Sequence, residues 1–148
     1  MKEYKGESFA IDKQIDLLQL EMSLEKATIS MHYETNGYIP KVYPYVINDL
    51  GIALADAGRM DEAQELFREM ADAAYMLTDD VLYANYAGTT FVANLFIRKG
   101  MKDRAIAKWE DYRDYLMENE ADYDKSELDI CLKQIQKQIN EIQGVVIY

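Results

Sequence analysis

The chain has 148 residues, 49 % of them hydrophobic, enough for one core of ordinary size, which argues against wholesale disorder. A formal net charge of −11 argues against direct binding of DNA, RNA or an anionic membrane, because phosphate recognition needs a basic surface. Cys131 is the single cysteine, which rules out an intramolecular disulfide and a multi-thiolate metal site.

The N-terminal segment Met1-Lys2-Glu3-Tyr4-Lys5-Gly6-Glu7 has no apolar stretch behind its lysines and does not read as a signal peptide. No run of about 18 apolar residues follows anywhere, so no transmembrane helix is expected. A reducing cytoplasm is the simplest location. From residue 11 to about 36 the spacing predicts a helix. Ile11, Ile15, Leu18, Met22 and Ile29 form one stripe, and Leu17, Leu20, Leu24, Ala27 and Met31 form a second beside it. So wide an apolar arc predicts burial against more than one neighbour. Asn36-Gly37 breaks this helix, and Pro40 and Pro44 mark an extended link and the next start.

The second helix is expected from about Tyr45 to Ala57, stopped by Gly58. The third starts at Asp61, with Gln64 three residues on completing a capping-box pattern, and runs to about Leu77. Thr78-Asp79-Asp80 caps a fourth helix that ends near Lys99 before Gly100. A fifth runs from about Asp103 to Asn119. Asp124 or Ser126 opens a sixth, ending near Gln143 at Gly144. The apolar, β-prone tail Val145-Val146-Ile147-Tyr148 is expected to pack on the core or on a second chain. On the sixth helix Leu128, Leu132, Ile135, Ile139 and Ile142 step by four and three. This seam reads as a cap on the end of a helix stack, with a homodimer through the C-terminal helix as the alternative.

A shift of 42 residues superposes two parts of the chain. Gly58 meets Gly100, Asp61 meets Asp103, Ala63 meets Ala105 and Phe67 meets Trp109; upstream, Leu50 meets Val92, Gly51 meets Ala93 and Leu54 meets Phe96. These are the positions a helix-turn-helix repeat needs: a small pair, Gly51 and Ala63, for close approach, large residues around it, and a glycine at the turn. One such unit cannot bury both faces, so copies stack.

Leu50-Gly51-Ile52-Ala53-Leu54, then Gly58-Arg59-Met60-Asp61-Glu62-Ala63 and Phe67, resembles the tetratricopeptide repeat (TPR). The second copy has Ala93 where that family prefers glycine, and the offset of 42 exceeds the family's repeat of about 34 residues. Long-helix repeats of this kind resemble those of bacterial peptide-pheromone receptors and of scaffold proteins. The resemblance implies an all-α fold, a right-handed array of about six antiparallel helices in one domain, residues 1–148. Its parts would be an N-terminal helix over 11–36, hairpins over 43–77 and 79–119, and a capping helix over 124–143. It also implies a protein- or peptide-binding adaptor whose concave face is lined by the first helix of each hairpin. With Leu50/Gly51 and Val92/Ala93 buried, the opposite stripes are Asn48, Ile52, Ala55 and Asp56 on one helix and Thr90, Asn94, Ile97 and Arg98 on the other. Asn48 and Asn94 can give and accept hydrogen bonds with a peptide backbone, and Asp56 and Arg98 can fix polarity.

Charge supplies the rival reading. Between Glu110 and Asp129 lie nine acids against Arg113 and Lys125. Asp111, Asp114, Glu118 and Glu120 among them are candidates for a surface that imitates phosphate charge and blocks a basic nucleic-acid-binding protein. Solvation of a helix end is the ordinary use of such a run. A basic protein or peptide is the partner that either surface suits.

Residues for chemistry are few. His32 and Cys131 stand far apart in sequence on helices with apolar neighbours, and a buried thiol and a helix-end histidine are the expected roles. There is no phosphate-cradling glycine loop, no H-E-x-x-H and no EF-hand loop. Asp122, Asp124, Glu127 and Asp129 lack the spacing of a calcium site, and Asp79/Asp80 read as caps. No enzyme, metal or cofactor is therefore expected. Of the twelve tyrosines, Tyr83, Tyr86, Tyr112 and Tyr115 sit at helical spacing and are expected mostly to fill space between layers, with a binding role for any that stay exposed.

Overall fold

The computed structural model describes residues 6–36 and 43–144, with side chains over 10–27 and 43–144. The described residues form helices joined by short turns, without a strand: α1 (Gly6–Asn36), α2 (Tyr43–Asp56), α3 (Met60–Glu65), α4 (Phe67–Thr78), α5 (Val81–Arg98), α6 (Lys102–Glu118), a 3-10 turn (Glu120–Asp122) and α7 (Lys125–Ile142). If α3 and α4 are taken as one bent helix, these are the six helices expected from the sequence. The link containing Pro40, the tail 145–148 and the His32 side chain lie outside the described residues. The chain divides into two compact units, residues 1–88 and 89–148, and the division falls inside α5.

In the first unit α1 packs along α2, and α2 packs on α3 and α4. Ile15 is fully buried, with Ile11, Leu18 and Met22 half-buried on the same face of α1. The second α1 stripe behaves otherwise: Leu17, Leu20 and Leu24 stay exposed, so the expectation of burial on two sides is corrected. Pro44 occupies the first turn of α2, where its missing N–H costs nothing. Ile47, Leu50, Gly51 and Leu54 of α2 are buried, as is Ala63 of α3. A polar knot ties three helices together. Lys26 Nζ of α1 donates to Glu69 Oε1 of α4 at 2.8 Å, and Tyr43 Oη of α2 donates to Glu69 Oε2 at 3.0 Å. Burial, and then the Glu69 carboxylate, push the Tyr43 phenol well above its ordinary range.

The expected third helix departs from the sequence reading in two ways. It starts at Met60, with Arg59 at the N-cap and no side-chain cap bond, so the capping box from Asp61 to Gln64 does not form. Asp61 and Glu62 sit instead within the first turn, where they face the positive end of the helix dipole. The Arg59 guanidinium grips both oxygens of Glu62, Nη2 reaching Oε1 at 2.7 Å. The helix also breaks at Leu66, whose amide bonds Ala63 O three residues back at 3.2 Å, a local 3-10 tightening. The break falls one residue before Phe67. Its ring lies on the bare backbone of Gly88: a Cβ built there would stand 2.9 Å from Phe67 Cε2.

In the second unit Phe96, Trp109, Leu116 and Ile135 are fully buried. The Arg104 guanidinium stacks over the Phe96 ring at 5.0 Å from its centroid. α6 packs on α7, and Leu128, Cys131, Ile135 and Ile139 of α7 are buried with Leu132 and Ile142 half-buried beside them. The seam seen in the sequence is thus used within the chain. Of the two candidate caps for α7, Asp124 takes the role, its Oδ1 accepting from the Glu127 amide at 3.1 Å and from Ser126 Oγ at 2.9 Å. Those two donors hold the Asp124 carboxyl below its ordinary range, the amide contributing most.

The two turns expected to correspond do so bond for bond. In the first, the Gly58 amide donates to Ala55 O at 3.0 Å and the Arg59 amide to Leu54 O at 2.8 Å, with Gly58 at φ 77°. In the second, the Gly100 amide donates to Ile97 O at 2.9 Å and the Met101 amide to Phe96 O at 2.8 Å, with Gly100 at φ 73°. Both are Schellman stops. Both lead directly into the next helix, where Ala63 N bonds Arg59 O and Ala105 N bonds Met101 O, each at 3.1 Å. Each of these bonds maps onto its counterpart at the 42-residue offset; the Lys99 amide makes one further bond, to Phe96 O at 3.1 Å.

Candidate interaction surfaces

On α2, Asn48 and Asp56 are exposed and Ile52 is half-buried between them, one helical face of the first unit. Ala55 was expected on that stripe, but it is fully buried and belongs to the core. On the α5 portion of the second unit, Asn94 and Arg98 are exposed, Thr90 is half-buried and Ile97 is exposed beside them. Asp56, Thr90 and Arg98 already engage in polar or electrostatic contacts of their own, so these stripes are not made of idle side chains. Each mixes a carboxamide, a charge and an aliphatic group, the chemistry suited to an extended or helical peptide.

The acidic surface lies within the second unit. Asp111, Asp114 and Glu118 are exposed at positions that share one face of α6, and exposed Glu120 begins the 3-10 turn just beyond. The field is weaker than the count of acids suggests. Arg113 lies 3.7 Å from Glu110 and 3.5 Å from Asp114 and offsets one of their two charges. Among the described residues no group of three or more His, Cys, Asp or Glu side chains is placed to hold a metal ion. None of the described helices is long and apolar enough to cross a membrane.

Cys131 is buried, with Tyr112 Oη 4.0 Å from its sulfur. The tyrosines divide. Tyr112 is buried and Tyr86 half-buried, as space-fillers should be, whereas Tyr83 and Tyr115 are exposed, as is Tyr45 on α2. Burial raises the Tyr123 phenol, and a hydrogen bond and electrostatic interaction with Tyr115 add to the effect, so the second unit carries a paired tyrosine patch beside the acidic face. This pair was not legible in the sequence, because its partners sit on different elements. The Leu17, Leu20 and Leu24 stripe was visible in the sequence, but its exposure was not.

Comparison of the chain with protein-family models, with curated proteins and with solved structures gives no match.

Proposed function

We propose that the chain is a TPR-like pair of helical hairpins, flanked by α1 and by α7 as a cap, that binds another protein or a peptide in the cytoplasm. The observation that carries this reading is the duplicated turn. Two Schellman stops of matching geometry and hydrogen bonding, 42 residues apart, each followed at once by a helix with a buried alanine, support a duplicated helix-turn-helix unit. In such units the outward face of the first helix is the reading surface, which here means Asn48, Ile52 and Asp56 on α2 and Thr90, Asn94 and Arg98 on α5. The right-handed, antiparallel array belongs to the same proposal. The reading assigns the protein no enzymatic, metal or cofactor chemistry.

The test is capture from a lysate of the native host with the full chain as bait, in wild type and in Asn48→Ala, Asn94→Ala and the double variant. A protein retained by wild type and lost by at least one variant with an intact helical circular-dichroism signal is the expected result. Capture untouched by all three removes the α2 and α5 stripes as the reading surface.

A second reading rests on the one-sided placement of Asp111, Asp114 and Glu118 on α6: a charge mimic that occupies a basic nucleic-acid-binding site. The partial neutralisation by Arg113 makes it the weaker of the two. The two differ in salt dependence.

A further inference from the structure

Along α1 the residues Ala10, Lys13, Leu17, Leu20, Leu24 and Ala27 follow one another at alternating steps of three and four, and all six are exposed. Leu17 is 57 %, Leu20 58 % and Leu24 60 % exposed. A helix that buries Ile15 on one side has no packing need for leucines on another. The 3.5-residue period is what a second helix requires to follow the stripe over its length. We propose that a second copy of the chain covers it, α1 of one copy lying antiparallel on α1 of the other.

The order of the residues selects this occupant and this register. With Leu17 opposite Leu20 of the second copy, the stripe is nearly a palindrome. Four leucines meet at the centre, the aliphatic stem of Lys13 lies on Leu24 of the second copy, and Ala10 meets Ala27 at each end. The flanking positions then place Glu21 beside Gln14 and Asp16 beside Ser23, with no like charges facing. A parallel pair would set Lys13 against Lys13 and Asp16 against Glu21. The other antiparallel register, one heptad on, would set Glu21 against Glu21. Both carry like-charge repulsion that the chosen register avoids. The leucines offer roughly a few hundred Å² per copy against the ~800 Å² of a standard stable interface, so the dimer is weak and forms in the high-micromolar range. Each copy carries −11, so added salt tightens it by screening the mutual repulsion.

Sedimentation equilibrium of the full chain, from low micromolar to about 1 mM, tests this. The expected result is a monomer–dimer equilibrium abolished by Leu20→Glu and tightened about tenfold by Lys13→Leu, which replaces an ammonium stem with a leucine on Leu24. The second variant gains association, which a misfolded chain cannot imitate at an unchanged helical signal. An equimolar mixture of Ala10→Cys and Ala27→Cys chains should form a disulfide-linked heterodimer faster than either variant links to itself. A wild type that stays monomeric throughout overturns the proposal. So does a dimer indifferent to Leu20→Glu. Dimerisation that appears only after removal of residues 145–148 overturns it too, because the tail would then be the occupant. A monomer in which Leu20→Glu alters only the capture of other proteins would give the stripe to a foreign partner.

Discussion

At Gly58 and Gly100 the backbone enters the left-handed region, and a Cβ built at either position meets nothing within 4 Å. The cost of alanine there is therefore conformational, not steric, of about 1–2 kcal/mol at each. Because the two turns share their Schellman hydrogen bonds, Gly58→Ala and Gly100→Ala should lose similar amounts in urea denaturation, and asparagine should lose less. A loss at one site alone would show that the turns are not equivalent. Asp124 makes a pH-dependent contribution of known sign. Its folded pKa lies below its unfolded value, so its share of stability is present above about pH 4, the unfolded value, and disappears as pH falls through the folded pKa. Asp124→Asn keeps a capping oxygen but removes the titration. The stability difference between wild type and variant should therefore shrink on acidification from pH 5 to about pH 2; a constant difference contradicts the assignment. These glycines and this cap were legible because their signals are local. The capping box at Asp61 misled for the same reason. Local pattern favoured it, but the Schellman turn had already carried the chain into a helix at Met60.

The elements themselves were mostly readable, since apolar spacing at 3.6 residues and a stop glycine define a helix without knowledge of its neighbours. The break at Leu66 was not, because it accompanies a contact with a helix more than twenty residues on. Gly88 sits mid-helix, where alanine ordinarily gains about 1 kcal/mol of helix propensity. Here the added methyl would meet the Phe67 ring at 2.9 Å. Overpacking typically costs about 1–3 kcal/mol, which matches or exceeds that gain. Gly88→Ala alone should therefore be neutral to destabilising, while the same change in a Phe67→Ala background should stabilise by up to about 1 kcal/mol. A double-mutant cycle by denaturation checks this, and additivity would remove the contact. Gly51, buried on α2, should behave more simply. Gly51→Leu should lower stability by about 1–3 kcal/mol, and a thermal melt left unchanged would undermine the close packing of α2 at Gly51. The α1 stripe shows the limit of pattern reading in the other direction. Periodicity located Leu17, Leu20 and Leu24 on one face, but only the packed structure shows that the chain leaves that face exposed.

For the molecule as a whole, the proposed adaptor and the charge mimic use different surfaces and respond differently to salt. The net charge and the acidic run were plain in the sequence, whereas the pairing of Arg113 with Glu110 and Asp114 required side-chain positions. The alanine at position 55 was misassigned to the open stripe because a helical wheel fixes a face only to within one residue at its edge. The most direct test of partner reading by the α2 and α5 stripes uses a captured partner and three forms of the full chain. These are wild type, Asn48→Ala/Asn94→Ala, and a variant with Asp111, Asp114, Glu118 and Glu120 changed to their amides. Binding is measured at low salt and at a salt where screening acts within a few ångströms, ~3 Å at 1 M. The adaptor account predicts that wild type binds similarly at both salts, that the four-amide variant equals it, and that the asparagine variant is weaker at both. A large loss in the four-amide variant confined to low salt, with the asparagine variant unaffected, would contradict it and move the function to α6.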